Sequence, residues 1–74
     1  MTDEDLLKRI QALLDEEDTM RSEHHVDAVR LEHLEDTLDQ CWDLLRQRRA
    51  KREFGQDESL ARVRDVGTVE DYLQ

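Results

Sequence analysis

The sequence contains no proline, only two glycines and a single cysteine. Both glycines lie in the last third of the chain, so residues 3–53 contain no strong helix breaker. One cysteine cannot form an internal disulfide, and we expect the reducing environment of the cytoplasm. The chain also lacks a run of about 18 apolar residues for a membrane span, and it lacks the apolar stretch after a basic start that a signal peptide needs.

Apolar side chains are scarce as well. Apolar residues make up 36 % and aromatic residues 4 % of the 74 residues, whereas charged residues reach 42 %. An ordinary soluble domain has about 45–50 % apolar and about 25 % charged residues. A chain this small and polar cannot enclose a large core or a deep cleft. Since it also has no glycine-rich phosphate loop, nucleophile elbow or catalytic triad, we expect no enzymatic activity and no cofactor.

The net charge of −9 is distributed unevenly. Residues 1–45 hold 14 acids and 4 bases, and residues 53–74 hold 6 acids and 2 bases. Between them lies a basic block, residues 46–52, which contains Arg46, Arg48, Arg49, Lys51 and Arg52 and no acid. An acidic body of this kind repels nucleic acid and anionic membranes at long range. Only the basic block has the opposite charge and would attract these anions.

Apolar residues recur at steps of three and four, which predicts a helix with one apolar stripe. The stripe is interrupted by a polar stretch around residues 21–27. We therefore predict an all-α fold, an antiparallel two-helix hairpin resembling a coiled coil, with helix 1 over 3–21, a turn over 22–26 and helix 2 over 27–53. A single long helix that pairs in parallel is the alternative, with Glu17, His24 and Asp27 as polar seam positions.

Gly55 stands where a glycine commonly ends a helix, and it divides the chain into a hairpin, 1–55, and an acidic tail, 56–74. We expect the tail to be semi-ordered, with Asp57 capping a short helix through Arg64 and Thr68 starting another turn through Leu73. A chain this small has a net stability near zero when its apolar stripe stays open. We therefore predict a homodimer, paired into a four-helix bundle. The predicted core and interface side chains are Leu6, Ile10, Leu13, Leu34, Leu38, Cys41, Trp42 and Leu45.

The segment 41–50, CWDLLRQRRA, resembles the hallmark of a family of short actinobacterial proteins, domain of unknown function 2630. The similarity continues through Arg52-Glu53-Phe54-Gly55, and the opening 3–14 and the closing 69–74 are similar too. The resemblance implies a small cytosolic helical protein. It implies no activity, substrate or catalytic residue.

The basic block is the first candidate site. Lys and Arg bind phosphates by replacing counterions, so nucleic-acid binding through 46–52 is one hypothesis. No aromatic platform accompanies the block for stacking single strands, which makes a nucleic acid an unfavoured partner. Cations at a helix C-terminus also complement the helix dipole, and a hairpin brings them near Asp3, Glu4 and Asp5 or near the acidic tail. A structural role is therefore the simpler interpretation. The candidate contacts for an unidentified protein partner are Arg46, Arg48, Arg49, Lys51, Arg52 and Tyr72.

Cysteine and histidine give weaker signals. Cys41 lies on the apolar stripe and is predicted to be a small buried side chain, with Trp42 as an anchor in the core or at an interface. The spacing of His24, His25 and His33 fits neither zinc nor di-iron ligands, so we expect no metal. A redox or metal sensor is the least favoured hypothesis. The leading one is a non-enzymatic, self-associating adaptor that interacts with other proteins.

Overall fold

The chain folds as a hairpin of two long helices, with the tail packed against the second. In a computed structural model that describes residues 1–23 and 27–73, α1 spans Asp3–Ser22, α2 spans Ala28–Glu53 and α3 spans Val66–Leu73. A 3-10 turn over Glu58–Leu60 lies between α2 and α3. Since α1 and α2 pack against each other, the predicted hairpin is confirmed and the long continuous helix is excluded.

Local side-chain hydrogen bonds define where α1 begins. The Oγ1 atom of Thr2 accepts from the backbone N–H of Asp5 at 3.1 Å, and the Asp5 carboxylate accepts from the N–H of Thr2 at 3.0 Å. This reciprocal capping box satisfies N–H groups that have no partner inside the helix. The hydrogen bonds from Thr2 also lower the pKa of Asp5.

Local sequence signals also define where α2 begins and ends. The Asp27 carboxylate accepts from the N–H groups of Val29 and Arg30 at 3.1 and 3.2 Å, so α2 begins one residue after this cap. Gly55 has a φ of +70°, a left-handed conformation that glycine adopts without strain, and it ends the helix as the sequence predicts. Residues 24–26 lie outside the described residues. They include His24 and His25 and most of the predicted turn.

The hairpin buries its apolar stripe between α1 and α2. The predicted core leucines and isoleucine are each no more than 6 % exposed: Leu6, Ile10, Leu13, Leu34, Leu38 and Leu45. Met20 and Leu44 complete the buried cluster, and Cys41 is half-buried against it. Glu17, the acid on the stripe, keeps its side chain 21 % exposed and lies 3.4 Å from Arg21 Nε.

The tail packs on α2 in a form that the sequence did not predict. Asp57 caps only the 3-10 turn, and residues 61–65 are not helical, so the helix predicted through Arg64 is absent. The physical reason is a set of hydrogen bonds to α2. The side-chain amide of Gln47 donates to the carbonyl oxygen of Arg62 at 2.7 Å and its Oε1 atom accepts from the N–H of Arg62 at 3.2 Å. Gln40 donates to the carbonyl oxygen of Arg64 at 3.1 Å.

α3 begins beyond this extended segment. Asp65 caps it by accepting from both the N–H and the hydroxyl of Thr68, at 3.0 and 2.9 Å. These hydrogen bonds lower the pKa of Asp65. Val69 is fully buried where α3 packs on α2. None of the helices in the described part of the chain has the length and apolar character to cross a bilayer.

Candidate functional site

Arg48 does not face outward as the prediction for the basic block required. The residue is only 7 % exposed. Its Nε atom donates to Asp3 Oδ1 at 2.9 Å, and its Nη2 atom lies 3.6 Å from Glu58 Oε2. The hairpin register brings Arg48 to the first residue of α1, and the 3-10 turn covers the other side of the guanidinium. Arg48 is therefore a structural contact between three segments and is removed from the candidate partner contacts.

Arg52 extends the same cluster by one helical turn. Its Nη2 atom donates to Asp3 Oδ2 at 2.5 Å, and its Nη1 atom donates to the Glu58 carboxylate. Hydrogen bonds from Arg52 and then from Arg48 hold the pKa of Asp3 far below its ordinary value. The hydrogen bonds that Arg52 donates to Asp3 and then to Glu58 raise the pKa of Arg52. The predicted pairing of the basic block with the N-terminal acids thus occurs, through Asp3.

The remaining bases, Arg46, Arg49 and Lys51, lie outside the cluster around Asp3 and Glu58. The Arg46 side chain is 47 % exposed and 3.7 Å from Asp43 Oδ1, and Arg49 is exposed. Lys51 is half-buried at an open cleft of about 480 Å³ between the end of α2 and the tail, which Arg46 and Phe54 also line. The side chain of Tyr72 lies outside the described residues. The basic block therefore divides into Arg48 and Arg52, which pair with Asp3 and Glu58, and three bases that lie outside that cluster, of which Arg46 pairs with Asp43.

A buried carboxylate attaches the tail to α2. Asp43 is fully buried although it lies on the side of α2 that faces away from α1. Its Oδ2 atom accepts from Arg64 Nε and from the Gln47 amide, both at 2.8 Å, and Arg64 Nη2 donates to Oδ1. Burial alone raises the pKa of Asp43, but the hydrogen bonds from Arg64 and Gln47 outweigh it and lower the pKa overall. No local pattern in the sequence indicates this group, because an acid among many on an acidic helix is typical of a solvated surface.

Trp42 is not part of the core of the single chain. It is 41 % exposed, because it lies about 100° around α2 from Cys41 and beside the buried stripe rather than on it. Leu7 and Leu14 of α1 are 43 % and 36 % exposed. These three side chains form what we call the apolar face. Its role as an interface stays a prediction.

The three side chains of the apolar face lie on the same side of the hairpin. Residues seven apart on a helix return to nearly the same direction, so Leu7, Leu14 and Arg21 form one column on α1, and Glu35, Trp42 and Arg49 form one on α2. The two columns are neighbours, since Arg21 Nη2 donates to Glu35 Oε1 at 2.8 Å.

The tail covers a different side of the hairpin. Its described residues hydrogen-bond to Gln40, Asp43 and Gln47, and with these residues in place Leu7, Leu14 and Trp42 stay about two-fifths exposed.

Cys41 and His33 form no recognisable chemical site. Burial raises the pKa of the Cys41 thiol, although Arg9 partly offsets it, so the reactive thiolate is disfavoured. His33 is exposed on α2. Within the described ranges, 1–23 and 27–73, no group of three or more histidine, cysteine or acidic side chains is placed to hold a metal ion.

Comparisons with known proteins agree with the resemblance noted in the sequence. The model of a family described as "Protein of unknown function (DUF2630)" matches residues 2–74. An uncharacterised protein of Mycobacterium bovis is 41 % identical over 78 residues, which cover 96 % of this chain and 90 % of the relative. Uncharacterised proteins from two strains of Mycobacterium tuberculosis match with the same identity and coverage. No solved structure matches.

Proposed function

The chain belongs to the DUF2630 family, and from that premise we propose that it is a non-enzymatic, self-associating helical hairpin that acts as a small protein-interaction module. The observation that carries the proposal is the apolar face. Trp42, Leu7 and Leu14 are each about two-fifths exposed on one side of the hairpin, in a chain with few apolar residues. Tryptophan is enriched among the residues that dominate binding energies at protein interfaces.

The intrachain contacts explain why association would use this face rather than the stripe. The stripe predicted to pair between copies is already buried between α1 and α2, and Leu44 is 7 % exposed beside it. The side of α2 that carries Gln40, Asp43 and Gln47 is occupied by the tail. On the apolar face, by contrast, large half-exposed side chains adjoin one another.

The energetics favour a reversible dimer. Complete burial of a leucine-sized side chain yields about 1.5–3 kcal/mol, so covering the exposed part of three such side chains in two copies yields about 6 kcal/mol. Association costs at least about 4 kcal/mol in lost translational and rotational freedom. The difference of about 2 kcal/mol corresponds to a dissociation constant of tens of millimolar, so a dimer at millimolar concentration also needs about 2 kcal/mol or more from polar contacts around the face.

Sedimentation equilibrium at concentrations up to the millimolar range, in reductant, tests the proposal. The wild-type chain should approach twice its monomer mass of 8.9 kDa, and Trp42→Ala should weaken association at least about tenfold. Phe54→Ala is the matched control, because Phe54 is 77 % exposed at the end of α2 and lies off the apolar face. A wild-type chain that stays monomeric up to millimolar concentration would contradict the proposal.

A further inference from the structure

The open cleft between the end of α2 and the tail combines positive charge with an exposed aromatic ring. We call it the basic cleft. Three of its lining residues are bases, Arg46, Lys51 and Arg64, and one is an acid, Asp43. Asp43 is fully buried, and its carboxylate already accepts from Arg64. The basic cleft is therefore a place of net positive charge in a chain whose net charge is −9.

The helical geometry of α2 sets the shape of the basic cleft. Four lining residues recur at steps of three and four and so form a line along the helix: Asp43, Gln47, Ala50 and Phe54. Arg46 and Lys51 lie on either side of this line, because their positions differ by about 140° around the helix. Phe54, at the end of the line, is 77 % exposed. The cleft thus has a cation on each side and an aromatic ring at one end.

Hydrogen bonds hold the tail side of the basic cleft in place. Directly after the left-handed Gly55, the N–H of Gln56 donates to the carbonyl oxygen of Lys51 at 2.6 Å. At the other end, Arg64 Nε donates to Asp43 Oδ2 at 2.8 Å. Because both ends are fixed within the chain, a ligand would enter a cleft that is already formed and would not have to order the tail first.

Arg46 and Lys51 have donors available for a ligand. Lys51 forms no ion pair with a side chain in the described part of the chain. Asp57 interacts with Lys51 electrostatically, but its carboxylate accepts hydrogen bonds from Ser59 as the cap of the 3-10 turn. Arg46 is 3.7 Å from Asp43 Oδ1, which is beyond hydrogen-bond distance, and its side chain is 47 % exposed. Both bases can therefore donate to an anion in the cleft.

Phosphate and a flat ring are the two chemical groups that the basic cleft fits. Arginine and lysine donate strong, charge-assisted hydrogen bonds to phosphate oxygens, and an exposed aromatic ring can stack on a nucleobase. Arg46 and Phe54 are about 12 Å apart along the axis of α2, which is comparable with the length of a nucleotide that carries two phosphates. The cleft volume of about 480 Å³ lies in the range of small-molecule sites.

We propose that the basic cleft binds a nucleoside diphosphate, with the phosphates between Arg46 and Lys51 and the base against Phe54. A nucleic-acid strand fits less well, because one ring stacks one base and a strand would continue over the acidic surface, which includes the exposed Glu53 and Asp57. The site lies within one chain, on the side of α2 that the tail covers. It is therefore independent of the proposed self-association and would be present in a monomer.

NMR titration of the isotope-labelled chain with adenosine diphosphate (ADP), in magnesium-free buffer at constant ionic strength, tests the proposal. ADP should cause saturable shifts of the backbone N–H signals in the last two turns of α2 and at Gln56. Methyl diphosphate has the phosphates without the base, and adenosine has the base without the phosphates. Each should bind at least about fivefold more weakly than ADP, because each lacks one of the two contacts.

Three substitutions separate the contributions of charge and ring. Arg46→Gln and Lys51→Gln should each raise the dissociation constants of ADP and of methyl diphosphate about tenfold, through the loss of a charged donor. Phe54→Ala should raise the dissociation constant of ADP at least about fivefold and leave that of methyl diphosphate unchanged. Arg49→Gln is the matched control, because it removes the same charge from the same basic block at a residue that does not line the cleft.

Four results would overturn the proposal. The first is the absence of saturable shifts at the cleft with ADP at millimolar concentration. The second is a loss of affinity in Arg49→Gln equal to that in Lys51→Gln, which would show only diffuse attraction. The third is equal affinity for ADP and methyl diphosphate, and the fourth is a single-stranded oligonucleotide that binds more tightly as its length increases. The dispersion of the same NMR spectra shows whether each variant is folded, so that a lost site cannot be mistaken for unfolding.

Discussion

Replacing Asp43 with alanine should release the tail from α2. Asp43 is fully buried and accepts hydrogen bonds from Arg64 and Gln47, and Gln47 in turn holds the backbone of Arg62. The substitution removes the carboxylate that both donors share. It also leaves a small void where the buried side chain packed.

The expected cost follows from the exposure of the groups left behind. Removing one partner from a buried ion pair typically costs about 3–5 kcal/mol, because the remaining charge stays buried. The Arg64 side chain is 29 % exposed and can turn towards water, which reduces that cost. We therefore expect the free energy of unfolding to fall by about 2–3 kcal/mol. Since a small protein has an m-value near 1 kcal/mol/M in urea, the unfolding midpoint should fall by about 2 M or more.

Urea titration by circular dichroism measures the stability change, and limited trypsin digestion reports the tail directly. Cleavage after Arg62 and Arg64 should accelerate in Asp43→Ala while cleavage within α1 stays slow. Asp36→Asn is the matched control, because Asp36 lies two helical turns before Asp43 on α2 and makes no hydrogen bond with its side chain among the described residues. An unfolding midpoint and a cleavage rate equal to those of the wild type would refute the assigned role of Asp43.

Three further substitutions probe the hairpin. Because the pKa of Asp3 is lowered in the folded chain, its ion pairs contribute stability above the ordinary pKa of 3.8, and this stability is lost as the pH falls towards the folded pKa. Asp3→Asn should therefore flatten the fall in the urea midpoint below about pH 4. A slope equal to that of the wild type would contradict the pairing of Asp3 with Arg52 and Arg48. Leu45→Ala removes a side chain that is 1 % exposed and should destabilise the hairpin by about 2–5 kcal/mol in thermal unfolding; a loss below 1 kcal/mol would place Leu45 outside the core. Gly55→Ala should lower the free energy of unfolding by about 1 kcal/mol. The cause is the φ of +70° alone, since nothing lies within 4 Å of the added Cβ. A stabilised variant would show that α2 does not end at Gly55.

The hairpin could be predicted from the sequence because its determinants are local. Helical spacing places the apolar stripe, Thr2 with Asp5 forms a capping box, and Gly55 ends α2. Each of these signals acts over a few residues. The predicted bounds of helix 1 and helix 2 therefore lie within one residue of those of α1 and α2.

The tail could not be predicted, because its conformation depends on contacts distant in sequence. Asp57 begins a turn as expected, but hydrogen bonds from Gln40 and Gln47 then hold residues 61–65 extended. No local sequence pattern around Gln40 or Gln47 indicates such a role. The burial of Asp43 is invisible for the same reason, since only the docked tail removes it from water.

The apolar face could be predicted only in part. Periodicity shows that Leu7, Leu14 and Trp42 widen the stripe, but it does not show how far the hairpin alone covers them. The structure leaves each about two-fifths exposed and buries Leu44 on the opposite side. The basic block could also be predicted only in part. The sequence indicates that it contacts the N-terminal acids, but not that this contact buries Arg48 and leaves the other bases more exposed.

Contacts between copies can be observed directly by NMR, in a mixture of isotope-labelled and unlabelled chains at millimolar concentration. Nuclear Overhauser effects filtered for pairs of labelled and unlabelled protons report only distances between two molecules. Self-association through the apolar face predicts cross-peaks that join Leu7, Leu14 or the Trp42 indole of one copy to the same set of side chains in the second copy. Intermolecular cross-peaks confined to other surfaces, such as Phe54 or Val63, or no cross-peaks at all, would contradict it.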